Sequence, residues 1–384
     1  MASVYPRKWK TPSGDVSVAY QVQYFVNGKK ERKQFPTKRQ AERFRETVSD
    51  RRQEALGRPR TATKLSLADW CQEWMATREQ GSDGLPPLEP ETVVWYQGLI
   101  GNHIAPALGR VPLAKLTRQH VKGFRGDLLS EGAISRRTVK KILVCLSTIL
   151  KAAVLAEHLP SSPADHVGVR LSSRDRPDIE IHSPQEMKAI LECAARLASS
   201  PRPREARVWS RYHPMLLILV YGGLRISEVR GLDKKDIDLS RMIVRVRQRA
   251  DRRGRLGSPK SAKGFREVHL PKITEAPLRA AIDNSTHALV FHTASGRPVD
   301  CANFRKRGWE DIQKRAGVRK LTLHSCRHFY ASRQIVNGVH PKELSELLGH
   351  SDEGFTLRTY AHMFKDRDTE ERRRRHAEAS VLTD

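Results

Sequence analysis

A mainly α chain with small β-sheets is what this sequence predicts, in three parts: a small α+β unit over residues 1–60, a helical domain over 61–170 and a mixed α/β domain over 171–384. Three observations carry that prediction. Apolar residues recur at helical spacing through residues 65–159. Two β-rich runs flank an Asn27-Gly28 dipeptide near the start. Polar stretches at 57–63 and 170–183 separate the parts. A length of 384 residues fits two or three domains with a sizeable core.

In the first part, Val16 to Tyr20 and Val22 to Val26 are β-rich, Asn27-Gly28 is a hairpin turn, and Lys29 to Phe35 is the return strand. Thr37 is placed to cap a helix from Lys38 to about Leu56. Arg7, Lys8, Lys10, Lys29, Lys30, Arg32 and Lys33 stud the unit. A small sheet so charged can lie in a DNA groove, or present a solvated face.

The second part follows the linker Gly57 to Thr63. Leu67, Trp70, Trp74 and Met75 define one amphipathic helix, and Gly81 to Pro90 breaks the chain. Further helices are expected from Glu91 towards Ile104, from Arg118 to Leu129, and from Arg136 to about Glu157 behind a Ser135 cap. In the last, Val139, Ile142, Leu143, Leu146, Ile149 and Leu150 form a stripe that reads as core.

In the third part, Ser183-Pro184 with Glu186 marks a helix start. Met215 to Tyr221 reads as a buried helix ending at Gly222-Gly223. Met242 to Arg247 and Glu267 to Leu270 read as short strands around a basic turn, Arg252 to Lys263. Arg372 to Arg375 lie in a charged tail.

Composition narrows the function. Lys and Arg number 70 against 43 Asp and Glu, a net charge of +27, which calls for a polyanionic partner, nucleic acid first. Five scattered cysteines without a C-x-x-C argue against a disulfide framework or a zinc site. Met1 to Lys10 has no apolar signal region, and the longest strongly apolar run, Met215 to Val220, is too short to span a bilayer. The expectation is a cytoplasmic protein on DNA, with no membrane partner.

Three runs and one tyrosine carry the chemistry: Tyr221-Gly222-Gly223-Leu224-Arg225-Ile226-Ser227-Glu228, His324-Ser325-Cys326-Arg327-His328, Leu347-Leu348-Gly349-His350-Ser351, and Tyr360. Breaking a DNA phosphodiester through a side chain needs a nucleophile, charge to hold the non-bridging oxygens, and a proton for the departing 5′-oxygen. Arginine forks suit the second task, so Arg225 and Arg327 are candidates. Histidine can donate a hydrogen bond or shuttle a proton, which singles out His324 and His350. A tuned lysine can be the acid, and Lys260 in Ser258-Pro259-Lys260-Ser261 is placed for it, with Lys263 as competitor. Tyr360 beside cations is the candidate nucleophile.

Taken together and in order, these runs resemble the tyrosine recombinase (phage integrase) family over residues 65–365. The resemblance implies an arm-binding-like N-terminal domain, a helical core-binding domain and a mixed α/β catalytic domain with a C-terminal tail. It implies that Arg225 and Arg327 hold the scissile phosphate, His324 and His350 assist, Tyr360 forms a 3′-phosphotyrosine link, and Lys260 or Lys263 protonates the leaving oxygen. Glu228 matches an acidic position expected to brace the site. Ser325-Cys326 departs from the Asp-Leu more common in the family and leaves the His-Arg pair intact. Tyr330 reads as packing and His362 as non-catalytic.

No metal, nucleotide or other cofactor is implied. The partners implied are double-stranded DNA attachment sites and three further copies of the chain, forming a tetramer on DNA. A DNA-bending protein and a directionality factor are open. The extra N-terminal unit favours integration and excision of a prophage or other mobile element. The rival readings are a type IB topoisomerase-like relaxing enzyme and a catalytically silent DNA-binding protein.

Overall fold

The computed structural model describes residues 3–10, 16–26, 29–45, 65–81, 84–172, 175, 179–259 and 261–367. The chain divides into two compact units, Met1–Pro177 and Asp178–Asp384.

The first unit opens with an antiparallel sheet of β1 (Ser3–Lys10), β2 (Val16–Val26) and β3 (Lys29–Phe35), with β2 in the centre. The two β-rich runs of the sequence are one strand. Pairing of Val26 with Lys29 closes the hairpin, whose turn, Asn27-Gly28, lies outside the described residues. β1 was not expected. It lacks an apolar alternation and carries Pro6, which an edge strand tolerates. The Thr37 carbonyl and hydroxyl accept from Ala41 and Gln40 at the start of α1, described over residues 38–45. The predicted remainder of that helix and the 57–63 linker lie outside the described residues.

Strand alternation puts Tyr20, Val22 and Tyr24 on one face. There Phe44 of α1 meets Tyr24 and Phe35 at ring centroid distances of 5.4 and 4.9 Å. The opposite face carries Tyr5, Arg7 and Arg32, all exposed.

The rest of this unit is helical. α2 (Leu67–Gln80) starts in a Ser66–Asp69 capping box and stops at Gly81, whose φ of 79° suits glycine. α3 (Pro90–Leu99) runs through a π stretch, Ile100–Ile104, into α4 (Ala105–Leu108), beyond the expected end at Ile104. Pro106 has no N–H to return to residue 102, and the π turn immediately before it absorbs that loss. α5 (Arg118–Ser130) and α6 (Arg136–Leu155) are capped by Thr117 and Ser135. Every residue of the predicted α6 stripe is buried, and Trp70 Nε1 donates to the Ile149 carbonyl at 3.0 Å. Burial of each large aliphatic side chain there contributes roughly 1.5–3 kcal/mol.

In the second unit, α7 (Pro184–Ala198) begins in the expected Ser183–Glu186 capping box. α8 (Pro203–Gly222) starts well before the apolar run that revealed it, and contains Pro214. α9 (Ile226–Arg230) follows. A second antiparallel sheet has the order β4 (Ile237–Asp238), β5 (Ile243–Val246), β8 (Arg266–His269). The basic turn between β5 and β8 holds a minimal hairpin of β6 (Arg249–Ala250) and β7 (Leu256–Gly257).

Then come α10 (Glu275–Asp283) and α11 (Cys301–Asn303), which continues through a π stretch into α12 (Asp311–Arg315). α13 (Ser325–Val336), α14 (Pro341–Leu348) and α15 (Glu353–Arg367) complete the unit. α7 and α8 pack with Val244, Val246 and Val268 of the sheet and with Trp309 into one core. A smaller apolar cluster joins α13, α14 and α15 through Tyr330, Ile335, Leu344, Leu348 and Tyr360. The Arg372–Arg375 tail lies outside the described residues.

All five cysteines are unpaired, four of them buried. Among the described residues no helix is long and apolar enough to cross a membrane.

Candidate active site

The site is built on the C-terminus of α14. Gly349 takes φ 61°, so the His350 N–H reaches the Ser345 carbonyl and the Gly349 N–H reaches Glu346. This Schellman ending leaves the Leu347, Leu348 and Gly349 carbonyls at the negative end of the helix. Three arginines from three elements take them. Arg266 Nε of β8 donates to Leu347 at 2.9 Å, Arg327 Nη2 of α13 donates to Leu348, and Arg225 Nη2 donates to Gly349 at 3.3 Å. Arg327 Nη1 also donates to the Gly223 carbonyl at 2.7 Å, tying the turn before Arg225 to α13. That turn admits only glycine at 223: φ is 62°, and a Cβ would come within 2.3 Å of the Tyr330 ring. Tyr330 is therefore packing, as expected.

Glu228, 3% exposed, bridges the cations. Its carboxylate accepts from the Arg225 backbone N–H and Nη1, both at 2.8 Å, and from Arg266 Nη2 at 2.9 Å. Burial pushes its pKa up, but Arg266, Arg225 and Arg327 overcome that and hold it down at about 2. Burial, then Arg225, pulls the Arg327 guanidinium down to about 9, still charged at neutral pH. Two guanidiniums, Arg225 and Arg266, thus share one carboxylate by hydrogen bonds, and Arg327 feels its charge without touching it. Arg327 is buried and the Arg266 side chain is 6% exposed, whereas the Arg225 side chain is 37% exposed and keeps a face open to solvent.

The histidines sit neutral around this charge. Burial, with help from Arg327 and Arg225, lowers His350 to about 3 and His324 to about 4. His350 Nδ1 lies 2.7 Å from Thr356 Oγ1 at the start of α15. One turn later on the same helix, Tyr360 is 1% exposed, and its Oη lies 2.8 Å from His328 Nδ1. Burial raises the Tyr360 phenol to about 12, against the pull of Arg327. His328 in turn meets His324 edge to face at 4.7 Å.

The structure therefore brings Arg225, His324, Arg327, His350 and Tyr360 into one cluster. Lys260 lies outside the described residues. Lys263 is exposed and pairs loosely with Glu353 at 3.8 Å. The side chain of His362 is also outside the described set. Sequence reasoning missed three members. Arg266 sits on a short strand with no motif, and Thr356 on a helix face whose register only Tyr360 marks. His328 was in view beside Arg327, but nothing in the spacing linked it to Tyr360.

Residues 183–367, which hold this whole cluster, match the phage integrase family. The chain belongs to that family, the tyrosine recombinases. As a tyrosine recombinase it is an enzyme that cuts and rejoins DNA through a tyrosine. It is 26% identical over 377 residues to a XerC-like tyrosine recombinase of Caldanaerobacter subterraneus, covering 89% of this chain and 91% of that protein. It is 24% identical over 312 residues to the putative prophage phiRv2 integrase of Mycobacterium tuberculosis, covering 79% and 76%.

The recombinase shares its fold with the Tn1549 transposon integrase solved with transposon right end DNA, at TM-score 0.65 and 19% identity over 83% of this chain and 100% of that one. A lambda integrase dimer bound to a COC′ core site matches at TM-score 0.57 and 16% identity, over 95% and 96%.

Proposed function

We propose that this tyrosine recombinase is a site-specific integrase that inserts and excises a mobile DNA element through Tyr360. The observation that carries the reading is the charge at the end of α14. Three guanidiniums answer to one carboxylate in a largely dry site, and Arg225 alone keeps an open face. A phosphodiester entering beside Arg225 supplies the missing negative charge. Arg225 and Arg327 then hold its non-bridging oxygens as charge grows on them. Neutral His324 and His350 donate hydrogen bonds to the same group. Glu228 and Arg266 do not touch the phosphate; Glu228 fixes Arg225, and Arg266 holds Glu228 and the end of α14.

Tyr360 attacks phosphorus, and Lys260 or Lys263 gives the 5′-oxygen its proton. Because Tyr360 is buried in the free chain, its hydroxyl must be uncovered before attack.

In this reading the chain has three working modules: residues 1–60 as an arm-type DNA reader, 61–170 as a core-site binder and 171–384 as the catalytic domain. The exposed Arg7 and Arg32 on the open face of the first sheet suit a groove contact. This extra unit, and the likeness to prophage and transposon integrases, favour integration over chromosome-dimer resolution. Four copies would hold two DNA sites, with bending and directionality proteins as optional partners.

The test is strand exchange. The full chain is incubated with two labelled duplexes carrying the DNA that flanks its gene. Recombinant products that need both duplexes are expected. Relaxation of supercoils without exchange would instead make the chain topoisomerase-like, and salt-sensitive binding with neither product would make it a silent clamp.

A further inference from the structure

We infer that His328 is the base that takes the proton of the Tyr360 hydroxyl when the phenol attacks, a task separate from those of His324 and His350. The inference rests on Tyr360 being the nucleophile and deepens that reading.

Geometry separates the three histidines. His328 Nδ1 lies 2.8 Å from Tyr360 Oη. His350 commits its Nδ1 to Thr356. His324 touches His328 only ring to ring. The charged groups at the site are arginines, which have no lone pair to accept a proton, and Glu228, whose carboxylate is taken up by Arg225 and Arg266. A neutral phenol is a poor nucleophile, so its proton must leave as the new bond forms. Among the described residues at the site, the His328 imidazole is the group in contact with that hydroxyl, and with Nδ1 bare it can accept the proton.

The groups facing His328 are His324 and Arg327 from its own helix and Tyr360 from α15. Burial and Arg327 hold His328 down at about 4, so at neutral pH it is uncharged and has one lone pair free. A nitrogen so depressed is a weak base in the empty site. The incoming phosphodiester corrects this, because its negative charge offsets Arg327 and favours the imidazolium at the moment the proton moves.

The step balances. A lone pair of Tyr360 Oη forms the bond to phosphorus while its proton passes to Nδ1. The bond from phosphorus to the 5′-oxygen breaks, its electron pair stays on that oxygen, and the lysine acid protonates it. Rejoining runs the same path backwards, with His328 returning the proton to the phenol.

Two measurements test this. The first needs no DNA. Nitrogen-15 spectra of the histidines in the full chain, with His328 assigned by comparison with His328→Asn, report which ring nitrogen carries hydrogen. Nδ1 is expected bare and Nε2 protonated at neutral pH, with Tyr360→Phe shifting the Nδ1 signal. A proton on Nδ1 overturns the inference, because the phenol would then be the acceptor.

The second measures the rate of covalent adduct formation on nicked duplexes from the DNA flanking the gene. Asn keeps a hydrogen-bonding group near the place of Nδ1 but is no base. His328→Asn is expected to lose about 10²-fold in rate at pH 7, and to recover about tenfold per pH unit as hydroxide replaces it, while wild type stays flat. A wild-type rate in His328→Asn means the contact only positions the phenol. A faster rate means it only restrains it. Either result overturns the inference. An adduct that maps away from Tyr360 would sink the functional reading instead, and the tautomer result would still stand.

Discussion

α6 and α14 each bury one face, yet they are held in opposite ways. α6 is fixed by an apolar stripe, with Val139, Ile142, Leu146, Ile149 and Leu150 all inaccessible to solvent. α14 buries Leu344 and Leu348, but its position is set at one end, where three guanidiniums seize three successive carbonyls. Dispersion and the hydrophobic effect are forgiving of direction; charged hydrogen bonds are not. The difference teaches where function lies. The stripe makes a stable domain, whereas the polar fixing fixes arginines to within a hydrogen bond and leaves surplus positive charge in place.

The sharpest way to break that contrast is Glu228→Ala. Removing the one carboxylate leaves Arg266 and Arg327 buried and uncompensated, a loss of about 3–5 kcal/mol in urea unfolding. Activity per folded molecule should fall with it. Leu146→Ala in α6 should lose about 2–5 kcal/mol by the same measurement, through lost burial and a cavity. Adduct formation per folded molecule should stay unchanged, and a fall there would mean that the two fixings are coupled.

How much of this was legible in the sequence follows the same divide. Apolar period and caps announced α6, α7 and the hairpin, because Ser135, Ser183 and Asn27-Gly28 act locally. Edge strand β1 was invisible, since its pairing with β2 depends on distant residues and not on its own pattern. The run-on of α3 and the early start of α8 were hidden by Pro106 and by the polar first turns of α8. At the site, the ordered motifs pointed to Arg225, His324, Arg327, His350 and Tyr360. Arg266 and His328 enter through contacts 38 and 32 residues away along the chain, which no local spacing encodes.

Gly349→Ala is a gentler probe of the polar end. An alanine at φ 61° costs about 1–2 kcal/mol, and its Cβ would sit 2.9 Å from the Lys263 carbonyl. Thermal unfolding should report that loss, with a larger drop in adduct rate than the stability change alone explains.

The mildest perturbation is acid. His324 and His328 near 4 and His350 near 3 lie below the usual histidine value of 6.5, and Glu228 near 2 lies below 4.5. Each depressed group contributes stability that is present above its unfolded pKa and lost as pH falls towards its folded pKa. The histidines therefore weaken the site as pH drops from 6.5 to 4, and Glu228 adds to this from 4.5 to 2. Hydrogen exchange, corrected for intrinsic rate, should open α13–α15 across the upper window while α6 stays protected.

The most direct measurement is the covalent adduct itself. Full-length chain and its Tyr360→Phe variant are mixed with nicked DNA from the region flanking the gene, in EDTA, and the linked peptide is mapped by mass spectrometry. The prediction is an adduct on Tyr360, absent from the variant, with DNA binding unchanged. An adduct on another residue, or one that survives Tyr360→Phe, would contradict the assignment of the nucleophile and the reading of the α14 charge cluster built around it.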